Sequence, residues 1–215
     1  VAAHLLQKTH RVTLFEQGDY LGGHTHTIAI PDGPDAGTPV DTGFIVFNDW
    51  TYPNLIDLLD QLGVASQPTP MSFSVRCERT GLEYNGENLN TLFAQRRNLF
   101  RPSFHRMIRD ILRFNREAPA LLNGQRNISL NAYLREQNYS REFTEHYILP
   151  MAAAIWSAEL DVTGEMPVRF FVQFFKNHGL LSVNDRPQWR VIQGGSRSYV
   201  ERLTAPFRDC IRLNC

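Results

Sequence analysis

Cysteine is scarce in this 215-residue chain, and lysine is almost missing. The three cysteines, Cys77, Cys210 and Cys215, are odd in number and fall in no CxxC or Cys/His array. That argues against a disulfide framework or a structural zinc and points to a reducing compartment, the cytoplasm. Lys8 and Lys176 are the only lysines, and 22 basic residues offset 22 acidic ones to a formal charge of zero. A neutral chain lacks the general electrostatic pull that a phosphate backbone exerts on a basic protein, so no nucleic-acid partner is expected. Long apolar runs are missing too. The longest, Tyr147 to Ala158, is too short to span a bilayer, and no signal peptide is visible. An initiator Met is also lacking: the chain opens VAAHLLQ, in what reads as mid-helix, and truncation is expected.

What is present is ordinary. Apolar residues at 42% and charged residues at 20% suit a soluble globular chain and exclude disorder and fibres. The length allows one large domain or two small ones with a substantial core.

Val1 to Lys8 carries an apolar stripe at helical spacing, and Val12-Thr13-Leu14-Phe15 is an apolar run of strand length. Helix, tight turn and buried strand form the second half of a βαβ unit. From 27 to 47 the chain reads as extended pieces around PDGPDAGTP. YPNLIDLLDQLGV is a helix stopped by Gly63, and SFSVRCERTGLEYNG is a hairpin turning near Thr80-Gly81. A long amphipathic helix is predicted over 102–122, with arginines on its outer face. Ser129 and Ser140 cap the next two, SLNAYLREQNY and SREFTEHYILPMAAAIWS. MPVRFFVQFFKNHGLL is a further aromatic helix and PQWRVIQGG a strand. It leads into SRSYVERLTAPF, where Ser198 and Glu201 have capping-box spacing, and CIRLNC is a last strand.

Glu16 is the first residue that suggests chemistry. A carboxylate at the carboxyl end of such a strand can accept both ribose hydroxyl protons of an adenosine; a solvated strand-end Glu is the plainer alternative. The glycine loop that accompanies this acid lies roughly 20 residues earlier, which here falls before Val1. Gly22-Gly23 permits positive φ and close backbone approach to a ligand. His24-x-His26 puts two imidazoles on one side of an extended segment, but two ligands without an acid or thiol partner do not make a metal site, and none is expected.

FEQGDYLGGHTHT, then VDTGFIVFN, then VIQGGSRSYVERL together resemble the flavin-containing amine oxidase superfamily, which includes protoporphyrinogen oxidase and phytoene desaturase relatives. The nearest likeness is to bacterial NAD(P)- or FAD-binding amine-oxidase-like proteins. The resemblance implies FAD as cofactor, with Glu16 on its ribose and Gly22 and Gly23 near its pyrophosphate. It brings the backbone of Asp41, Thr42 and Gly43 close to the flavin, and sets Gly194 and Gly195 beside the isoalloxazine. Many members have Arg where this chain has His24, so His24 is a weaker phosphate contact.

The implied fold is α/β, of α+β two-domain plan. Residues 1–70 and 188–215 would form a Rossmann-like FAD-binding domain lacking its first strand and glycine loop. Residues 71–187 would be an inserted, largely helical substrate domain. The implied function is an FAD-dependent oxidoreductase taking a hydride from a C–N or C–C bond of a small molecule. A flavin-dependent isomerase or desaturase with an apolar or lipid-like substrate is an alternative, as is a non-catalytic binding remnant. No Ser/His/Asp set or paired-carboxylate motif names a catalytic residue, which suits chemistry carried by a flavin. Phe170, Phe171, Phe174 and Phe175 fit core packing ahead of an apolar substrate tunnel. The arginines from Arg96 to Arg113 read as a solvated face, with peripheral contact to an anionic lipid or acyl carrier second.

Overall fold

The computed structural model describes residues 1–125, 127–183 and 185–215. The chain divides into two compact units. One is made of two segments, Val1–Pro70 and Pro187–Cys215; the other is the intervening Met71–Arg186.

The first segment runs α1 (Ala2–Leu6), β1 (Leu14–Phe15), β2 (Thr27–Ala29), β3 (Pro39–Asp41), β4 (Phe47–Asn48), α2 (Pro53–Gln61) and β5 (Ser66–Pro68). α2 starts with Pro53 at its first turn and stops just before Gly63, whose φ of +64° reverses the chain. That is the asymmetry expected of helix ends, because proline needs no N–H at the start and glycine tolerates the left-handed cap. The Val64 N–H closes the end on the Leu59 carbonyl at 2.8 Å.

The middle unit begins with the hairpin β6 (Ser74–Cys77) and β7 (Leu82–Asn85), in register Ser74 to Asn85 and Cys77 to Leu82. Helices follow: α3 (Leu89–Leu92), α4 (Pro102–Glu117), α5 (Leu130–Glu136), α6 (Arg141–Phe143), α7 (Leu149–Trp156), α8 (Leu160–Gly164) and α9 (Val168–Asn177). Ser129 and Ser140 do act as caps: their hydroxyls accept the Ala132 and Phe143 N–H groups at 3.2 and 3.3 Å. The predicted helix over 102–122 ends as α-helix at Glu117, and residues 118–123 continue as a 3-10 turn. Pro119 is the cause, since it can neither donate to residue 115 nor fit inside an α-turn.

The predicted helix from Ser140 to Ser157 is interrupted as well. Residues Thr144–Ile148 form a π-turn between α6 and α7. Pro150 has no N–H to offer the His146 carbonyl four residues back, and that carbonyl accepts the Tyr84 hydroxyl at 2.7 Å. Tyr84 is otherwise buried, and burial pushes its phenol well above the usual range, which keeps it protonated as a donor.

α9 buries Val168, Phe171, Val172 and Phe175, an i, i+3, i+4, i+7 stripe. They join Phe114, Leu130, Phe143 and Ile148 in one apolar core. Phe170 stays exposed, so the aromatic helix is largely a packing element.

The second segment of the two-segment unit adds β8 (Trp189–Ile192), α10 (Arg197–Thr204) and β9 (Ile211–Arg212). β8 is central in an antiparallel sheet of order β4-β8-β5, and β2 pairs antiparallel with β3. β1 pairs with β9 in parallel, Leu14 opposite Ile211. Phe47, Leu59, Val64 and Ile192 form the small core of this unit. Arg202 on α10 donates to the carbonyls of Leu62 and Gly63, at 3.0 and 2.6 Å. A cation thereby satisfies the free carbonyl end of α2.

Candidate functional site

Glu16 follows directly on β1, at the carboxyl end of the parallel β1/β9 pair. Its N–H donates to the Arg212 carbonyl at 2.9 Å, and its carbonyl accepts the Cys215 N–H at 3.1 Å. The side chain is half-buried, and Oε1 accepts the Gly18 N–H at 2.8 Å. Oε2 makes no hydrogen bond among the described residues. The carboxylate is thus oriented by one oxygen while the other keeps its acceptor capacity.

Around Asp41 three distant segments converge. Its carboxylate accepts the Ser196 N–H at 2.9 and 3.0 Å, the Ser196 hydroxyl at 2.7 Å and the Thr27 hydroxyl at 2.6 Å. The Arg197 N–H donates to Thr27 Oγ1 at 2.9 Å. These donors sit at the start of α10, so an aspartate far away in sequence fills the role of its N-terminal cap. An anion there also meets the positive end of the helix dipole. The predicted Ser198–Glu201 capping box is not formed: Ser198 Oγ donates to the Gly195 carbonyl at 2.8 Å, and the N-cap position is Ser196. Thr25 Oγ1 lies 2.6 Å from the Tyr199 hydroxyl and ties the same two segments again. Thr25, Thr27 and Ser196 are buried. None of them, nor Tyr199, stands out in the sequence, because a lone hydroxyl carries no periodic or motif signal.

The glycines divide by what surrounds them. Gly195 has φ +85°, and a Cβ there would stand 2.4 Å from the Thr27 methyl; Gly22 has φ +122°, with the Thr25 carbonyl oxygen 2.4 Å from its would-be Cβ. Both must be glycine for the anchor to close. Gly43 needs its small size for another reason, since the His24 carbonyl passes within 2.1 Å of a Cβ placed there while accepting the Phe44 N–H at 2.8 Å. Gly23 and Gly194 have positive φ but nothing within 4 Å of a would-be Cβ.

Of the sequence-predicted residues, Gly22, His24, Asp41, Thr42, Gly43 and Gly195 are therefore brought into one linked set of loops. Gly23 and Gly194 flank it on open backbone. Glu16 stands apart, on the β1/β9 pair, with no hydrogen bond to that set among the described residues. The His24 side chain is exposed, whereas His26 Nδ1 lies 2.9 Å from Thr42 Oγ1 and its ring 4.5 Å from that of Tyr20. No group of three or more His, Cys, Asp or Glu among the described residues is placed to hold a metal ion. No helix is long and apolar enough to cross a membrane among the described residues.

Residues 1–215 match the family described as flavin containing amine oxidoreductase. The chain belongs to that family. Membership makes FAD the family's cofactor and oxidoreduction its chemistry. Among solved structures, the flavin containing amine oxidoreductase fold recurs in cyclohexylamine oxidase from Brevibacterium oxydans IH-35A, with a TM-score of 0.66 at 18% identity. A putrescine oxidase A394C mutant gives a TM-score of 0.64 at 19% identity. The alignments cover 99% of this chain and 48% and 47% of those chains. The chain thus spans just under half the length of these structures. No curated protein matches it.

Proposed function

We propose that the two-segment unit is the Rossmann-like, FAD-binding part of an amine-oxidase-like flavoenzyme. The observation that carries this reading is the Asp41 anchor. It clamps the start of α10 against the 22–27 and 41–43 loops and leaves the backbones of Gly23 and Gly194 in left-handed turns, with no side chain of their own and none required by packing. Such bare backbone suits close approach by phosphate oxygens and a planar ring. Glu16 fits the ribose role, because a carboxylate at the carboxyl end of a parallel strand with a free acceptor oxygen matches a pair of hydroxyl donors.

The residues present thus fit the group the family carries. Gly22, Gly23 and His24 would border the pyrophosphate, and Asp41, Thr42, Gly43, Gly194 and Gly195 the flavin side. Asp41 does so through backbone, since its carboxylate is engaged by Ser196 and Thr27. When bound, the flavin supplies the hydride acceptor for oxidation of a substrate C–N or C–C bond. The chain's own contribution is orientation: Asp41 and Thr27 fix the loops, and the glycines keep side chains out of the way. The middle unit is assigned to a small-molecule substrate.

Titrating the 215-residue chain with FAD, followed by quenching of flavin fluorescence, tests this. Weak saturable binding is expected, because the chain spans just under half the length of the solved structures it matches. Glu16→Ala should weaken it at least tenfold, as loss of charge-assisted bonds worth about 1.5–3 kcal/mol implies. Saturable binding that is untouched by Glu16→Ala would remove the ribose assignment. An absence of any binding would favour a non-catalytic role for the chain.

A further inference from the structure

The middle unit holds a cleft of about 230 Å³ that the flavin assignment does not use. It lies between the β6/β7 turn, the amino end of α4 and the π-turn. Leu82, Phe104 and Met107 give it an apolar floor, each of them buried. Around the rim stand Arg79, Arg101, Arg141, Glu142, Glu145 and His146.

Most of that charge is internally matched. Glu145 is gripped from two sides, by Arg79 Nη2 and Arg141 Nε, each at 2.6 Å. Glu142 receives Arg106 Nη2 at 2.7 Å and Nε at 3.3 Å. The bond from Arg106 holds the Glu142 carboxyl below the usual carboxylate range, and the bond from Arg141 does the same for Glu145. Both acids are therefore ionised and already paired.

Arg101 is the exception. Among the described residues it makes no ion pair, and its one side-chain hydrogen bond is a long one, 3.4 Å from Nη1 to Asn98 Oδ1. The neighbouring Ser103 hydroxyl and the His146 imidazole make no hydrogen bond among the described residues either. A guanidinium with one long hydrogen bond, a hydroxyl and an imidazole thus line one cleft over an apolar floor.

We propose that this cleft binds a small carboxylate with an apolar body, with Arg101 taking the carboxylate and Ser103 and His146 assisting. Guanidinium matches carboxylate in bidentate geometry, which singles out this class among neutral ligands. The two ionised glutamates on the same rim disfavour a phosphate dianion, whose second charge no further free cation in the cleft would offset among the described residues. The volume falls below the roughly 300–1,000 Å³ of ordinary ligand pockets, which restricts the occupant to a small molecule.

Isothermal titration of the full chain with benzoate, with inorganic phosphate and benzyl alcohol as controls, tests the assignment. Benzoate is expected to bind one to one and the two controls not to compete. Arg101→Gln should weaken benzoate at least tenfold and Arg101→Lys less. Ser103→Ala and His146→Ala should each weaken it two- to threefold, and they carry the test if circular dichroism shows Arg101→Gln to be unfolded. The proposal is overturned by absent benzoate binding, by affinity unchanged in the folded variants, or by phosphate competing as well as benzoate.

Discussion

The two units hold themselves together by different means. The middle unit is an apolar construction: among the described residues thirteen buried ones form one cluster, Phe114, Phe143, Phe171 and Phe175 among them, and two of its helices, α5 and α6, are capped by adjacent serines. Among the described residues the two-segment unit buries four in its core cluster, and it is built from strands of two to four residues. Polar side chains do the joining there. Asp41 holds Ser196 and Thr27, Arg202 holds the end of α2, and Asn48 Oδ1 accepts the Trp50 N–H, the Thr51 N–H and the Thr51 hydroxyl at 2.9–3.0 Å. Apolar packing is non-directional and tolerant of volume-conserving change, whereas a hydrogen-bonded anchor fixes loops to a fraction of an ångström. The unit with short strands and bare glycines is the one that needs its loops placed, and it spends its polar groups accordingly.

Four substitutions would sharpen or break this contrast. The largest effect is expected from Phe171→Ala, fully buried in the aromatic cluster, at about 3–5 kcal/mol of unfolding free energy in a denaturant titration. A loss below about 1 kcal/mol would mean that the cluster does not hold the middle unit. Next comes Asp41→Ala, which strands the Ser196 N–H and the Ser196 and Thr27 hydroxyls, all on buried residues. About 2–3 kcal/mol is expected. The same variant should weaken FAD binding even though its carboxylate is not assigned to the cofactor. Wild-type stability and binding would show the anchor to be incidental.

The smallest and most diagnostic effect is a difference between neighbours. Gly195→Ala meets both an unfavourable φ and the Thr27 methyl, and should cost about 1–3 kcal/mol. Gly194→Ala has the φ term with open space around it, and should cost about 1 kcal/mol. Equal melting temperatures for the two would mean that the contact with Thr27 is not tight.

Much of the helical structure was legible in the sequence because helices are decided within a few residues. The Ser129 and Ser140 caps, the Pro53–Gly63 limits of α2 and the stripe on α9 all follow from local rules. The failures were local rules overruled. Pro119 and Pro150 broke two helices that periodicity alone had extended. In the second case the freed His146 carbonyl had a partner, Tyr84, more than sixty residues away. Ser198 and Glu201 had the spacing of a cap, but Asp41 claimed the start of α10 first.

The candidate site divides in the same way. Glu16 at a strand end and the positive-φ glycines are written in the sequence, because backbone stereochemistry leaves few residues able to stand there. The arginines around residue 101 read as a solvated face. Arg96, Arg97, Arg106 and Arg109 are indeed exposed; within that face Arg106 and Arg113 pair with carboxylates, Arg97 bonds the Gly81 carbonyl, and Arg101 makes no ion pair among the described residues. Pattern and propensity determined where the helices, turns and bare glycines fall. Only the tertiary structure decided which distant carboxylate meets which donor, since a pairing across 155 residues depends on closing the chain, and no local spacing encodes that.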